Sequence, residues 1–302
     1  MAELLVIANG RIEGRRSWTR AERRLRELYG NEVEIRLTRG RGDATRIASE
    51  SLKEGASWIA VAGGDGTINE TVNGFFEDSR NISPQSCLSF LPCGTANDWV
   101  RTVGVPRNLL HAVDVLAGAT PRAVDVGIAK FPEAGTERAF LNFAEAGAGS
   151  EVVRRLECTA GAGIRRAGYL PAALLVAWSY LPRRLIISHD GGVRMTTGPL
   201  LSLIVASGRY FGSGIRVAPA AEPDDGALDV ITIGDFSRLE VLRKIGKFAR
   251  GEYLDEAKTS HRLAREIEVF AKSPLPVVLD GELAGELPVR IRVVPRALKI
   301  RC

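Results

Sequence analysis

A glycine-rich turn with a carboxylate in its middle is the segment of this sequence best suited to chemistry. An apolar run over 58–62 leads into the turn, and apolar residues at helical spacing follow it. Glycines at a strand-to-helix turn let the backbone approach a ligand, and the free N–H groups that begin the helix favour an anion. A carboxylate such as Asp65 repels a polyphosphate unless a divalent cation lies between them, or unless it handles a proton or a metal-bound water. The candidate nucleotide-binding residues here are Gly63, Gly64, Asp65, Gly66, Thr67, Asn69 and Glu70.

A second turn of the same construction follows the apolar run 88–91, and a helix that contains Trp99 begins after it. If the two strands are parallel neighbours, both turns lie at one side of a crevice at the carboxyl ends of the strands, where open α/β sheets bind ligands. A turn that binds nothing is the alternative for either segment alone, and the repetition makes it less favoured. The candidate residues of this turn are Gly94, Thr95, Asn97 and Asp98.

Two common ways of holding a transferred phosphoryl group are absent from the sequence. It contains no G-x-x-x-x-G-K-[ST] P-loop and no H-R-D and D-F-G set of protein kinases. The cradle would then consist of the backbone N–H groups of 64–67, with a hydroxyl from Thr95.

Four blocks in order and spacing carry a family resemblance. GGDGTINE over 63–70 and PCGTANDW over 92–99 resemble the catalytic domain of diacylglycerol kinases, and nearly the whole chain resembles the bacterial YegS-like lipid kinases of that group. The stretch 208–229 is similar to the family's glycine-rich segment and its D-D-G-x-L element, and 278–282 is similar to its late D-G-E element. NAD kinases and phosphofructokinase relatives carry GGDGT or a close variant, so the combination of all four blocks is the specific signal.

The resemblance implies roles for individual carboxylates. It places Glu282 as the general base for an acceptor hydroxyl, Asp65 near magnesium and phosphates, and Asp280 beside the base. An Asp-Gly pair between apolar runs is also a strong hairpin signal, and such a turn would present Glu282. The resemblance further implies a structural magnesium site, for which a solvated turn at 224–226 is the alternative. Its ligands would be Glu222, Asp225 and the carbonyl of Ala227.

The sequence departs from the family pattern in two places. Relatives usually have N-P-x-S-G after the first strand; here only Asn9 of that turn is retained, and only Asn9 is carried over as a nucleotide contact. The resemblance assigns Thr38, at the end of the second strand, to nucleotide contact as well. In the block 142–152, Gly149 stands where many members have aspartate, so no role of that aspartate can be transferred.

The elements that would position these residues fall into two groups. Strands at 4–8, 33–37, 58–62 and 88–91 alternate with helices, including 18–29 and 43–54, which predicts a parallel sheet. After a change of pattern near 126, short β-branched runs separated by Gly, Pro and Asp predict an antiparallel sandwich or barrel with inserted helices such as 237–250.

The predicted fold is therefore α/β plus β. A Rossmann-like, nucleotide-binding α/β domain over 1–126 precedes a β-sandwich lipid-substrate domain with inserted helices over 127–302. The resemblance implies that the last strands, 289–294 and 297–300, pack back on the first domain.

Composition narrows the class of protein. With 302 residues, 45% apolar and 25% charged, the sequence is typical of a globular protein, and its length favours two domains. The four cysteines lack a C-x-x-C pair, so neither a zinc site nor a disulfide framework is indicated, and a cytoplasmic location is favoured. No signal peptide is expected, because the N-terminal apolar run is short and lacks a basic flank.

The basic charge does not indicate nucleic acid. The net charge is +5, but the arginines are scattered as pairs and no aromatic residues alternate with them as in a base-stacking surface. The apolar stretch Leu170–Leu181 is bracketed by arginine pairs, and we expect either a helix in peripheral contact with a membrane surface or a half-buried helix. It is shorter than the roughly 20 residues that a spanning helix needs. The oligomeric state is left open, a dimer included.

Three functions remain in competition. The favoured one is an ATP- and Mg²⁺-dependent lipid kinase that phosphorylates a hydroxyl of diacylglycerol, phosphatidylglycerol or a sphingoid base. An NAD kinase-like enzyme is the nearest rival, and the T-A-N-D and D-G-E blocks argue against it. The third is a catalytically inactive regulator of the same fold, which the changed first loop and Gly149 keep open.

Overall fold

A computed structural model describes residues 3–159, 176, 179–254 and 256–302. The described helices are α1 Arg16–Tyr29, α2 Asp43–Lys53, α3 Asp65–Asn73, α4 Asp98–Val103, α5 Leu109–Gly118, α6 Ala148–Thr159 and α7 Arg238–Arg250. The strands are β1 Leu4–Asn9, β2 Val33–Thr38, β3 Trp58–Gly63, β4 Phe76–Glu77, β5 Arg80–Asn81, β6 Cys87–Pro92, β7 Pro121–Phe131, β8 Thr136–Phe140, β9 Phe143–Gly147, β10 Arg183–His189, β11 Met195–Ala206, β12 Leu228–Gly234, β13 Thr259–Ala264, β14 Glu266–Ala271, β15 Pro276–Leu279, β16 Glu282–Glu286 and β17 Val289–Arg301.

The N-terminal half is built on parallel strands in the order β6-β3-β1-β2. Parallel strands covered by helices on both faces read as continuous apolar runs, and all six residues of β3 are buried accordingly. One apolar cluster, which includes the side chains of Ile7, Ile59, Phe90 and Trp99, forms the core of this half. This arrangement brings the carboxyl ends of β1, β2, β3 and β6 to one edge.

The C-terminal half is antiparallel, in the order β16-β15-β9-β11-β10-β14-β17, with β12 and β13 continuing from β11. Alternate residues of β9, β11 and β15 enter two separate apolar clusters, one on each face of these strands. The prediction of an α/β domain followed by a β-sandwich with inserted helices is confirmed.

Strand β17 belongs to both halves. Its first part pairs with β14, and its last residues, Lys299–Arg301, pair in parallel with β6, while β7 runs antiparallel along almost all of it. The two predicted last strands are therefore one strand, and its end does pack onto the N-terminal sheet. The expected domain boundary at residue 126 falls inside β7, where the backbone pairing is continuous, and it stays a prediction.

Most other expected elements differ from the observed ones only at their ends, although β11 begins at Met195 instead of Leu200. The short strands β8, β9, β13 and β16 were not expected as strands. Within the ranges described, no helix has the length and apolarity needed to cross a membrane. The stretch Leu170–Leu181 lies largely outside the described residues, so its contact with a membrane stays a prediction.

Candidate active site

The two glycine turns pack directly against each other. Strands β3 and β6 are parallel neighbours, and the carbonyl of Gly63 accepts the N–H groups of Cys93 at 2.9 Å and Gly94 at 3.1 Å. A Cβ atom on Gly94 would lie 2.3 Å from the Cα atom of Gly64, a distance that real Cβ contacts do not reach. The backbones can approach this closely only because both positions are glycine. The expected side-by-side placement of the two turns is confirmed.

Gly94→Ala is expected to distort this pair of turns. The added methyl group would overlap the Gly64 backbone and the side chain of Asn97, so we expect a loss of about 1–3 kcal/mol in the free energy of unfolding and weaker binding of ATP. Gly118→Ala is the matched control, because its methyl group would meet nothing within 4 Å. Chemical denaturation and calorimetric titration with ATP measure both effects. Normal ATP affinity in a folded Gly94→Ala protein would contradict the prediction that the two glycine turns bind the nucleotide.

Asp65 organises the second turn. It is the first residue of α3, and its Oδ1 atom accepts the N–H groups of Asp98 at 2.9 Å and Trp99 at 3.3 Å, at the start of α4. Burial raises the pKa of Asp65, and the neighbouring charge of Asp98 raises it further. One oxygen of Asp65 is thus used to cap a helix. Its predicted place near magnesium and phosphates stays a prediction.

Asn97 and Asp98 also hold the second turn in place. Asn97 adopts a left-handed conformation, with φ of 50°, and its side-chain amide donates to the carbonyl of Gly94 at 3.0 Å. Asp98 accepts the N–H group of Ser213 at 2.9 Å, which ties α4 to the C-terminal half. Burial raises the pKa of Asp98. Thr95 is exposed between these anchored residues, so its hydroxyl is accessible to a ligand.

The ends of β1 and β2 are tied to the first glycine turn. The Asn9 side chain donates to the hydroxyl of Thr67 at 2.8 Å, and the Thr38 hydroxyl accepts the N–H group of Gly10 at 3.3 Å. A Cβ atom on Gly10 would lie 2.3 Å from the Thr38 carbonyl oxygen. Three predicted nucleotide-binding residues, Asn9, Thr38 and Thr67, therefore lie together at the same edge of the sheet. Glu70, one helical turn further, is half-buried.

Glu282 reaches across from the C-terminal half to the first glycine turn. A two-residue hairpin between β15 and β16 precedes it, with φ of 48° at Asp280 and 88° at Gly281. Positive φ at both positions is the geometry that Asp-Gly favours, so the expected hairpin is confirmed. A Cβ atom on Gly66 would lie 2.8 Å from Oε1 of Glu282. The carboxylate thus lies against the beginning of α3.

Two arginines lie beside the Glu282 carboxylate without donating a hydrogen bond to its Oε2 atom. The guanidinium groups of Arg41 and Arg138 each lie 3.6 Å from Oε2 of Glu282, and that oxygen has no hydrogen-bond partner among the described residues. The side chain of Glu282 is only 15% exposed. The unpartnered oxygen can accept a hydrogen bond from a ligand hydroxyl. Sequence reasoning missed both arginines, because neither lies in a recognised block.

Asp280 is the centre of a buried hydrogen-bond network. Its carboxylate accepts the backbone N–H groups of Leu141 at 3.0 Å, Asn142 at 2.9 Å and Phe143 at 3.0 Å, and the amide of Asn69 at 2.9 Å. Burial raises the pKa of Asp280, and these hydrogen bonds oppose the rise. These four hydrogen bonds hold the hairpin that carries Glu282, and the one from Asn69 joins the hairpin to α3.

The Asn69 side chain makes its hydrogen bonds within the protein, and its predicted contact with nucleotide stays a prediction. It is fully buried, and its amide uses both hydrogens, towards Asp280 and the carbonyl of Ala139. Its oxygen accepts from Arg138 at 2.8 Å and from Asn73 at 3.2 Å. Since an Asn side chain offers two donor hydrogens and two acceptor lone pairs, every position is taken within the protein. Asn69 therefore links Asp280 to Arg138, and through Arg138 to Glu282.

The residues of the predicted structural magnesium site make contacts within the protein. Glu222 pairs with Arg209 at 3.2 Å, and Asp225 accepts the N–H group of Ala227 at 2.9 Å. In the part of the chain that the structure describes, no three His, Cys, Asp or Glu side chains are close enough to hold a metal. The residues form a hydrogen-bonded turn against buried Asp125, whose carboxylate accepts the N–H group of Gly226 at 2.6 Å. Magnesium binding here stays a prediction.

A buried carboxyl in the block 142–152, that of Glu145 on β9, should make stability depend on pH. Burial raises its pKa from 4.5 to about 7, so the folded protein binds more protons than the unfolded chain between these values. This contribution is present at low pH and is lost as pH rises through about 7. We expect Glu145→Gln to gain stability relative to the wild type between pH 5 and 8, by about 3 kcal/mol. Chemical denaturation of both proteins across this range measures it, and parallel pH curves would contradict it.

Two models of known protein families match this chain, one in each half. Residues 3–129 match the family model of the diacylglycerol kinase catalytic domain, and residues 143–302 match that of the YegS C-terminal NAD kinase β-sandwich-like domain. A protein of Pseudomonas aeruginosa (strain UCBPP-PA14), named a probable YegS-like lipid kinase, is 30% identical over 99% of this chain and 93% of its own length. The diacylglycerol kinase of Bacillus subtilis (strain 168) is 27% identical over 87% of this chain and 83% of its own.

The fold is also similar to that of solved structures. One from Bacillus anthracis (strain Sterne), assigned as a diacylglycerol kinase, superimposes with a TM-score of 0.80 and 26% identity. The superposition covers 98% of this chain and 94% of that one.

Proposed function

We propose that this chain, which belongs to the diacylglycerol kinase family and to its YegS-like lipid kinases, is an enzyme. It transfers the γ-phosphoryl group of ATP to a lipid hydroxyl. The observation that carries the proposal is the Glu282 carboxylate, whose Oε1 atom lies against the first glycine turn and whose Oε2 atom has no hydrogen-bond partner among the described residues. A glycine turn that opens a helix suits a phosphate, and a carboxylate beside it suits the hydroxyl that attacks the phosphorus.

In this mechanism the N-terminal half holds the nucleotide. The backbone N–H groups of 64–67 and the Thr95 hydroxyl bind phosphate oxygens, while Asn9 and Thr38 shape the neighbouring edge. Magnesium bound to ATP would neutralise phosphate charge, and Asp65 is the candidate residue to hold it.

The C-terminal half supplies the base. Glu282 takes the proton of the lipid hydroxyl as its oxygen forms a bond to the γ-phosphorus, and the bond from that phosphorus to the bridging oxygen of ADP breaks. The guanidinium groups of Arg138 and Arg41 lie beside the Glu282 carboxylate and help to hold it in place. Asn69 and Asp280 fix the base relative to α3, so that proton transfer begins from a set geometry.

Transfer of labelled γ-phosphate from ATP and magnesium tests this proposal. Purified protein is given diacylglycerol, phosphatidylglycerol and a sphingoid base in mixed micelles, with NAD as a competing acceptor. Label in a lipid is the expected result. Label in NAD would show that the protein is an NAD kinase and not a lipid kinase. ATP binding without label in any acceptor would favour a regulator that has lost catalytic turnover.

The acceptor is proposed to be taken from a membrane surface by peripheral contact on the cytoplasmic side. A lipid acceptor requires such contact, and the relatives named above include lipid kinases. Sedimentation of the protein with vesicles of anionic and neutral lipid tests this. Failure to bind either vesicle, together with normal transfer to micellar lipid, would contradict it.

A further inference from the structure

The guanidinium group of Arg41 brings a positive charge from the N-terminal half to the Glu282 carboxylate. Arg41 lies in the loop between the carboxyl end of β2 and the start of α2, at the edge of the sheet where the glycine turns lie. Its Nη2 atom is 3.6 Å from Oε2 of Glu282, and its side chain is 64% exposed. An exposed ion pair at this distance contributes little to stability, so the guanidinium is free to bind a further anion.

The second arginine beside Glu282 is occupied within the protein, and Arg41 is not. Arg138 donates to the side-chain oxygen of Asn69 at 2.8 Å and to the carbonyl of Leu283 at 3.4 Å. Among the described residues, the guanidinium of Arg41 makes no hydrogen bond, and Glu282 is the one carboxylate within ion-pair distance of it. A guanidinium offers five N–H donors in a planar fork that fits two oxygens of a phosphate. The donors of Arg41 are therefore available to a ligand.

The proposed reaction brings a second anion close to the Glu282 carboxylate. A base lies about 2.6–3.2 Å from the acceptor oxygen, and that oxygen lies about 3–3.5 Å from the γ-phosphorus before transfer. The carboxylate is thus within about 7 Å of the γ-phosphoryl group. Two like charges this close repel each other, and a cation beside both offsets the repulsion. Arg41 is placed to be that cation, because it already lies beside one of the two anions.

The loop that carries Arg41 is anchored at one end and can adjust in the middle. The backbone N–H group of Arg39 donates to Oδ2 of Asp43 at 2.8 Å, which fixes the loop against α2. Arg41 stands between two glycines, and Gly42 has a φ of 81°, in the left-handed region. A Cβ atom on Gly40 or Gly42 would meet nothing within 4 Å, so the backbone on either side of Arg41 faces open space. The long side chain can therefore turn towards a phosphate without breaking contacts of the loop.

We propose that Arg41 binds the γ-phosphoryl group of ATP and stays with it through the transfer. This inference rests on the proposed lipid kinase function. The acceptor oxygen bonds to the γ-phosphorus, the bond from that phosphorus to the bridging oxygen of ADP breaks, and Glu282 takes the hydroxyl proton. Meanwhile Arg41 donates hydrogen bonds to the non-bridging oxygens of the transferred group. ADP lacks this group, so Arg41 makes the site favour ATP over its product.

Affinities for two nucleotides, measured without an acceptor, test this role. Calorimetric titration in the presence of magnesium gives Kd for ADP and for the non-hydrolysable β,γ-imido analogue of ATP. For Arg41→Ala we expect the preference for the ATP analogue over ADP to fall about 10- to 100-fold, with the affinity for ADP nearly unchanged. A wild type without such a preference, or a preference that survives in Arg41→Ala, would overturn the inference.

Two further variants separate phosphate binding from a general effect of charge or of the base. Arg39→Ala is the matched control, because Arg39 is exposed in the same loop and borders the groove between β2 and α2. It should keep the preference for the ATP analogue. Arg138→Ala removes the other arginine beside Glu282 and should lower kcat while it also keeps the preference. An equal fall of the preference in Arg138→Ala would overturn the assignment to Arg41.

This binding test and the transfer of label to lipid can fail separately. If Arg41→Ala loses the preference but no lipid is labelled by the wild type, Arg41 binds the γ-phosphoryl group as inferred and the proposed lipid kinase function is wrong. If lipid is labelled and Arg41→Ala keeps the preference, the function stands and Arg41 only helps to hold Glu282.

Discussion

Glu282→Gln is expected to lower kcat for phosphoryl transfer about 10²- to 10⁴-fold and to leave the affinity for ATP nearly unchanged. Glutamine has the same shape but cannot take the proton of the acceptor hydroxyl at neutral pH. The carboxylate lies against Gly66 and beside the guanidinium groups of Arg41 and Arg138, at the first glycine turn. Initial rates with labelled ATP, together with calorimetric ATP titration, measure the two quantities.

Glu286→Gln provides the control for this experiment. Glu286 ends the same strand, β16, but its side chain is exposed and away from the glycine turns. It should keep wild-type kcat. If Glu282→Gln also kept kcat, the base would have to be another group, and the proposed mechanism would fail while the family assignment stood.

Asp280→Ala is expected to cost about 3–5 kcal/mol of the free energy of unfolding. The substitution leaves three backbone N–H groups and one hydrogen of Asn69 without an acceptor in a buried place. Each buried donor without a partner costs about 1–3 kcal/mol, and water entering the space would recover part of the sum. Chemical denaturation with an unchanged m-value measures the loss.

Asp190→Ala is the matched control, because Asp190 and Gly191 repeat the Asp-Gly pair with positive φ at both residues. The Asp190 carboxylate also accepts two backbone N–H groups, those of Arg265 and Glu266, at 2.8 Å each. It is exposed, so water can take its place and the loss should be about 1 kcal/mol. Equal losses for the two variants would show that the turn, and not the buried network, accounts for the effect.

The features that were predictable from sequence are local in the chain. The glycines at 63, 64 and 66 and the one at 94 stand between an apolar run and a helical pattern, which identifies a turn in each case. The hairpin at Asp280 follows from two adjacent residues, Asp and Gly. The strands of the N-terminal half are buried on both faces, so their apolar runs are strong signals.

What sequence reasoning missed depends on contacts between distant residues. Asp280 and Asn69 are 211 positions apart, and the two arginines beside Glu282 come from β8 and from the loop before α2. The capping of α4 by Asp65 is likewise a contact across two turns. No periodicity or spacing encodes such pairs, and β8 and β16 are too short and too mixed in polarity to show a strand period.

The shared strand β17 affects how the protein is made. Residues 299–301 pair with Cys87–Ser89 of β6, so the backbone N–H and C=O groups on that edge of β6 have no strand partner until β17 is present. Synthesis proceeds from the N-terminus, so β6 leaves the ribosome long before its partner exists. Throughout that interval an unpaired edge is open to other chains. The nascent N-terminal half should therefore need protection by a chaperone until the last strand has been translated.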